Sequence, residues 1–202
     1  MNLNILHPGK AVESAFEKPN ILLALILVLL PPLASIAGKM VYGVDATGTA
    51  AYEIMTAYVT FFALLLVIYT LAMLFDAKKT KGKFTGAFSA LALIQLTQLS
   101  IIIISLLAIP LIFQPETIAF AKQASQSAST EAALTQLAMH IEENPGAINT
   151  TNLAAFMLLA AGIATGGIIL LYSCIKKLTE ARTLPAVLLT IAAIIILGLL
   201  PI

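Results

Sequence analysis

Five stretches of the chain are apolar almost without interruption, at residues about 20–38, 51–75, 84–110, 152–174 and 184–201, and short polar segments separate them. A bilayer core of about 30 Å takes roughly 20 apolar residues as helix, because in hydrocarbon every backbone N–H and C=O must find a partner within the segment. The pattern therefore predicts an all-α integral membrane helical bundle with five transmembrane helices. Local signals mark the ends. Asn20 stands where a helix cap belongs and Gly38 where the first span would stop. Pro31-Pro32 inside that span predicts a kink or break, since neither residue has an N–H to donate. The second span ends abruptly at Asp76, and Pro110 limits the third.

One polar segment is long enough to form structure of its own, residues about 114–151, between spans three and four. Pro115-Glu116 resembles a helix start, and Leu134, Leu137, Ala138 and Ile141 recur at helical spacing. Asn144-Pro145-Gly146 is a turn signal. The segment is expected to be a helical connection resting on the ends of the spans, or a lid or partner-binding cap over a cavity. Asn149-Thr150-Thr151 also fits the N-glycosylation sequon.

Composition agrees with the pattern. The 202 residues are 60% hydrophobic and 10% charged, whereas a soluble domain carries about a quarter charged residues. The net charge of +1 hides a segregation of cations along the chain. Lys10 and Lys18 lie in the tail at 1–19, Lys78, Lys79, Lys81 and Lys83 follow span two, and Lys176, Lys177 and Arg182 follow span four. Only Lys39 and Lys122 of the eleven lysines and arginines fall on the other side. Short loops rich in lysine and arginine stay cytoplasmic. The N-terminus is thus expected inside, the C-terminus outside and the 114–151 segment external, with residues 1–202 forming one membrane domain. The first apolar run lacks a small-residue cleavage site before a polar mature region and is expected to remain as span one.

Candidate chemistry is sparse. A single cysteine, Cys174, excludes an internal disulfide framework and a cysteine zinc cluster. His7 and His140 have no partner at metal-ligand spacing, and Glu142-Glu143 is expected to be a solvated face. No nucleophile elbow, P-loop, HExxH or dinucleotide glycine fingerprint is present. The expectation is a protein that is not an enzyme, with no cofactor and no nucleic-acid partner.

Ionisable groups buried in a span point to function, and none lies deep in any span here. Glu53 and Asp76 stand at the two ends of span two, where solvation or pairing with nearby lysines is expected. Gln95 and Gln98, one turn apart, and Ser105 on the same face make a polar stripe along span three. Such amides most often join helices by hydrogen bonds, and the alternative is a permeation path. Gly162, Gly166 and Gly167 with neighbouring alanines make a small-residue face, including a G-x-x-x-G, for packing inside the bundle or for self-association.

Two passages carry a family likeness. DAKKTKGKFTGAFSALALIQL, residues 76–96, is a short basic loop followed by a glycine, a lysine and an aromatic leading into span three. LYSCIKKLTEARTLPAVLLTIAAIIILGLL, residues 171–200, runs from span four through a basic turn into the last span. With the five-span pattern, these resemble the Yip domain family, small membrane proteins named for interaction with Rab/Ypt GTPases. The resemblance implies a cytoplasmic N-terminus, a nearly tail-less C-terminus, and a role in membrane organisation or as a scaffold for partners. Those partners would be the lipid bilayer, a second copy or another membrane protein. Eukaryotic members carry a long N-terminal region and a D-L-Y-G-type motif. Here the tail is about 19 residues and Val41-Tyr42-Gly43-Val44 is the nearest echo, so the likeness is to the short prokaryotic members of the cell membrane, and Rab-type GTPase binding is not carried over. The other reading left open by the stripe is a small transporter or channel for an ion, metabolite or lipid.

Overall fold

A computed structural model describes residues 7–44, 48–127 and 130–199; the expected end of the last span at 201 lies outside them. Among the described residues every regular element is a helix. The long ones are α2 (Ile21–Val41), α3 (Ala50–Thr80), α4 (Phe84–Ala92) continued by α5 (Ile94–Ile112), and α8 (Thr150–Thr179). These four are long and apolar enough to cross a membrane, which makes the chain compatible with a multi-pass membrane protein. The last helix, α9 (Thr183–Leu199), is apolar but spans only 17 residues.

Asn20 caps α2 as expected: its side chain accepts the Leu23 N–H at 2.9 Å, and its own N–H reaches Ser89 Oγ at 3.1 Å. Of the kink or break expected at Pro31 and Pro32, the break does not occur, since one helix runs through both, and the helix does not stop at Gly38 as expected. Gly38 is instead where α2 and α5 meet, since a Cβ there would overlap the Leu106 side chain. The helix ends beyond, at Gly43, whose φ of +70° belongs to the left-handed region that glycine enters without steric cost. Asp76 interrupts α3 as anticipated, with φ −153° and ψ 90° inside the helical run. Its carboxylate then accepts the Lys79 N–H at 3.1 Å and caps the final turn, while the buried Thr80 hydroxyl donates to the Ala72 and Asp76 carbonyls.

Span three is divided. At Leu93 the backbone makes three-residue bonds, Leu93 N–H to the Ala90 carbonyl and Leu96 N–H to the Leu93 carbonyl. Such a tightened turn in mid-helix commonly marks strain or a hinge.

The tail contains an unanticipated helix, α1 (Pro8–Glu17). Ala11, Val12 and Ala15 are buried against α4 and α8. Glu13, on the same helix, pairs with Lys177 at 2.9 Å.

The 114–151 segment folds as a hairpin of α6 (Pro115–Ser127) and α7 (Thr130–Glu143). The Phe120 and His140 rings stack between them at 4.3 Å. The base of the hairpin is pinned to the bundle: Phe113 and Ile148 form a bridge, Asn149 N–H donates to the Ile112 carbonyl at 2.7 Å, and Asn152 Nδ2 donates to the Leu111 carbonyl at 2.7 Å. Beyond that base α6 and α7 pack chiefly on each other. The expected apolar stripe splits, with Leu137 turned toward the bundle and Leu134 62% exposed. Asn149 of the sequon accepts the Asn152 N–H and caps α8.

The two ends of the bundle differ. Toward α1, Leu65, Ile68, Ala72, Ala87, Leu91, Leu170, Cys174 and Leu178 are almost wholly inaccessible and form one continuous core. Phe61 and Phe88 meet edge to face at 5.2 Å, with Phe62 beside them, at the boundary of that core. Toward the hairpin, the α2 and α3 walls carry the small residues Pro31, Pro32, Ser35, Gly38, Thr56, Ala57 and Thr60, and space is left between α2, α3 and α5.

Candidate functional site

The space at the hairpin end takes the form of two adjoining cavities. One, of about 370 Å³, lies between α2, α3 and α5 and is lined by Pro31, Pro32, Glu53, Thr56, Thr60, Gln95 and Gln98, with Phe61 at its deep end. From Glu53 to Leu64 along α3 it descends about 16 Å at 1.5 Å per residue, about half the thickness of a bilayer core. The other, of about 430 Å³, lies between the hairpin, α2 and α5. Ser35 and Ile102 line both.

Three local features converge on the deeper cavity. Pro31 and Pro32 cannot donate to the carbonyls of Leu27 and Val28, so α2 lacks two of its own bonds at this level. The tightened turn at Leu93 sits two residues before Gln95. Gln95 itself is only 6% exposed, yet its amide makes no hydrogen bond to any described residue, and among the described residues no buried side-chain polar atom is left without a partner. Its amide therefore opens into the cavity. Gln98 likewise lines the cavity and joins no other helix. The helix-joining role expected for these glutamines is not what the geometry provides. Ser105, on the same stripe, opens into the hairpin cavity and gives its hydrogen to the Ile101 carbonyl at 2.7 Å.

Glu53 stands at the mouth between the cavities. Its carboxylate accepts from Lys39 and from Thr49 at 3.0 Å. Lys39 lines one cavity and Glu53 the other, so this ion pair links their walls.

The basic loops meet at the opposite end. Lys83 Nζ donates to Glu180 Oε1 at 2.7 Å and to the Lys177 and Leu178 carbonyls, closing the C-terminus of α8. That hydrogen bond, and then the charge of the Lys83 ammonium, hold the Glu180 carboxyl below its ordinary range. Asp76 pairs with Lys79 at 3.6 Å. Lys78, Lys81, Lys176 and Arg182 take part in no ion pair among the described residues; Lys176 lies 5.8 Å over the Tyr172 ring.

The small-residue face divides. At Gly167 a Cβ would come within 3.0 Å of Thr97 Oγ1, so that glycine sets the approach of α8 to α5, whereas no described residue stands over Gly162 or Gly166. Among the described residues no three His, Cys, Asp or Glu side chains gather as a metal site.

No family model matches this chain, and no curated protein or solved structure matches it either. The geometry therefore carries the functional reading.

Proposed function

We propose that the chain is a five-span membrane protein, N-terminus cytoplasmic and C-terminus outside, that takes a small, uncharged polar solute from the outer face into the cavity at Gln95 and Gln98. The observation that carries this reading is the near-buried Gln95 amide, which bonds to no described residue and faces a cavity that descends halfway through the bundle. Amides and the Thr56 and Thr60 hydroxyls offer donors and acceptors without net charge. The one charged wall residue, Glu53, is already neutralised by Lys39. Broken or proline-interrupted helices beside a mid-membrane cavity are a recurrent design for solute sites in transporters. The packed end below Phe61 fits an outward-open form of a small transporter. In this reading the protein is not an enzyme.

Flux into proteoliposomes tests it directly. Uptake of a small uncharged polar metabolite from a panel that also holds ions and lipids is expected, reduced in Gln95→Leu with Gln98→Leu; a wholly negative panel, or uptake of ions or lipids alone, would overturn the reading. Orientation is checked separately by cysteine labelling of Lys81→Cys and Arg182→Cys against Glu131→Cys in intact cells. Native Cys174 is fully buried and gives little background. Labelling of all three from one face would end the five-span topology.

A second reading has its own support. The passages 76–96 and 171–200, which resemble the Yip family, are joined to each other through Lys83 and lie beside α1. With the open Gly162 and Gly166 face, this suits a Yip-like scaffold in the prokaryotic cell membrane that binds a membrane partner or a second copy. Its size in detergent and pull-downs from native membranes test that role. A monomer without partners that shows solute flux would exclude it.

A further inference from the structure

Lys39 and Lys122 are the two cations that depart from the charge segregation of the chain, and although 83 positions apart in sequence they line the same cavity. That cavity, under the hairpin, is otherwise walled mainly by apolar side chains, among them Ile102, Leu106, Ile109 and Leu137, with the hydroxyl residues Ser35, Ser105, Thr117 and Ser125 between them. Lys39 is held by Glu53, whereas Lys122 takes part in no ion pair among the described residues. The Lys122 chain extends across to Gly43, where a Cβ would overlap its ammonium. Tyr42 at the same rim has its hydroxyl committed to the Leu106 carbonyl at 2.6 Å. From Ile102 to Phe113 the wall runs about 16 Å, long enough for an extended hydrocarbon chain.

From this arrangement we propose that the hairpin cavity holds the single acyl chain of an anionic lipid, with its carboxylate or phosphate head on Lys122 and beside Lys39. Apolar walls favour the chain by removing it from water, and an unneutralised ammonium at the rim favours an anionic head over a neutral one. The proposal rests on the hairpin cavity alone. It does not depend on solute passage at Gln95, whose failure in flux assays would leave it standing.

The absence of tryptophan from the chain gives a clean probe. Leu137→Trp places one indole in the cavity wall, and Leu158→Trp, at a position 77% exposed on α8, serves as the control. Ser125→Trp at the rim covers the case in which the indole at 137 fills the cavity itself. The purified full chain in detergent is titrated with a fatty acid and with a lysophosphatidate, each brominated on the acyl chain, and with the brominated alcohol of equal length.

Saturable quenching at one equivalent is expected at 137 or 125 but not at 158, with the alcohol binding more weakly than the anions. Lys122→Gln is expected to weaken anion binding about tenfold or more and to leave the alcohol unchanged, since a charge-assisted contact becomes a neutral one. Saturation by the fatty acid alone identifies a carboxylate head, and saturation by the lysophosphatidate a phosphate. Quenching at 137 and 125 no more saturable than at 158, or anion affinity indifferent to Lys122→Gln, overturns the proposal.

Discussion

Replacing Gly86 by alanine is expected to release α1 from the bundle. A Cβ on Gly86 would lie 2.5 Å from Phe16 Cδ1 and 3.1 Å from Phe16 Cα. The ring could swing aside from the first contact, but the second is backbone, so housing the methyl also needs the α1 and α4 backbones to give by a few tenths of an ångström. Overpacking of this kind costs about 1–3 kcal/mol, which corresponds to about a 5–150-fold larger undocked population. Ala11, Val12 and Ala15 are buried by that docking and become accessible when it fails. Hydrogen exchange of residues 8–17 in the detergent-solubilised protein reads the change, and a cysteine at Val12 probed with a thiol reagent reads it independently. Phe16→Ala removes the side-chain part of the clash, so the double variant should recover part of the protection and give a coupling energy between the two sites. Exchange of α1 unchanged in Gly86→Ala would refute the packing argument, because it would mean that ring rotation and a small backbone shift house the methyl without loosening α1.

Gln95→Leu is expected to leave thermal stability unchanged within about 0.5 kcal/mol or to raise it, because no protein hydrogen bond is lost; a fall of about 1 kcal/mol, the worth of an interhelical bond, would mean that the amide joins helices after all. Asn20→Ala removes the bond from Leu23 and should cost about 1 kcal/mol in unfolding measurements, whereas Asn20→Ser should restore most of it; equal losses in both would deny the capping role. The Glu180 carboxyl is held below its ordinary value of 4.5 by Lys83. Its contribution is therefore complete above that value and is lost as pH falls through the depressed one. Glu180→Gln should flatten the acid side of the stability profile between pH 7 and pH 3, and an unchanged acid limb would count against the pair.

The four membrane-length helices and their polar ends are legible in the sequence because a bilayer demands long apolar runs, and because Asn20 and Asp76 act through bonds to residues three positions away. What is not legible depends on several helices at once. Gly38 has the look of a terminator in isolation, and only the proximity of Leu106 makes it a packing position. Gln95 and Gln98 fall on one helical face, but whether that face meets another helix or a cavity is decided by Pro31, Pro32, Thr56 and Thr60 on two other elements. The helix at 8–17 did leave a signal. Ala11, Val12, Ala15 and Phe16 recur at helical spacing with Lys10, Glu13 and Glu17 between them, a short amphipathic pattern overshadowed by the apolar run that follows. Lys39 and Lys122 stand out as exceptions to the charge pattern, yet nothing in one dimension says that they share a cavity.

The contrast between the two ends of the bundle follows from side-chain size and limits the mechanisms open to the molecule. At the α1 end, alanines at 72, 87, 90 and 92 let helices approach, and leucines and isoleucines fill what remains. At the hairpin end the small residues on α2 and α3 face one another across the gap, and the larger side chains around it, Tyr52, Leu64 and Ile102 among them, line the space without filling it. A cavity with amide and hydroxyl walls is costly to leave dry, because its polar groups would have no partners. At about 370 Å³ it has room for several waters or one small solute. Water can therefore reach the level of Gln95 but meets the Phe61, Phe62 and Phe88 cluster and the packed core behind it. A continuous pore is incompatible with that floor. Passage in this fold requires the floor to part, and the elements able to move are those already weakened beside it: α2 at its two prolines and the α4–α5 junction at Leu93. A solute that supplies hydrogen bonds to Gln95 and Gln98 could shift such an equilibrium only by binding the two forms unequally. The glutamines, at the border between hollow and packed halves, occupy the level where that difference would be felt.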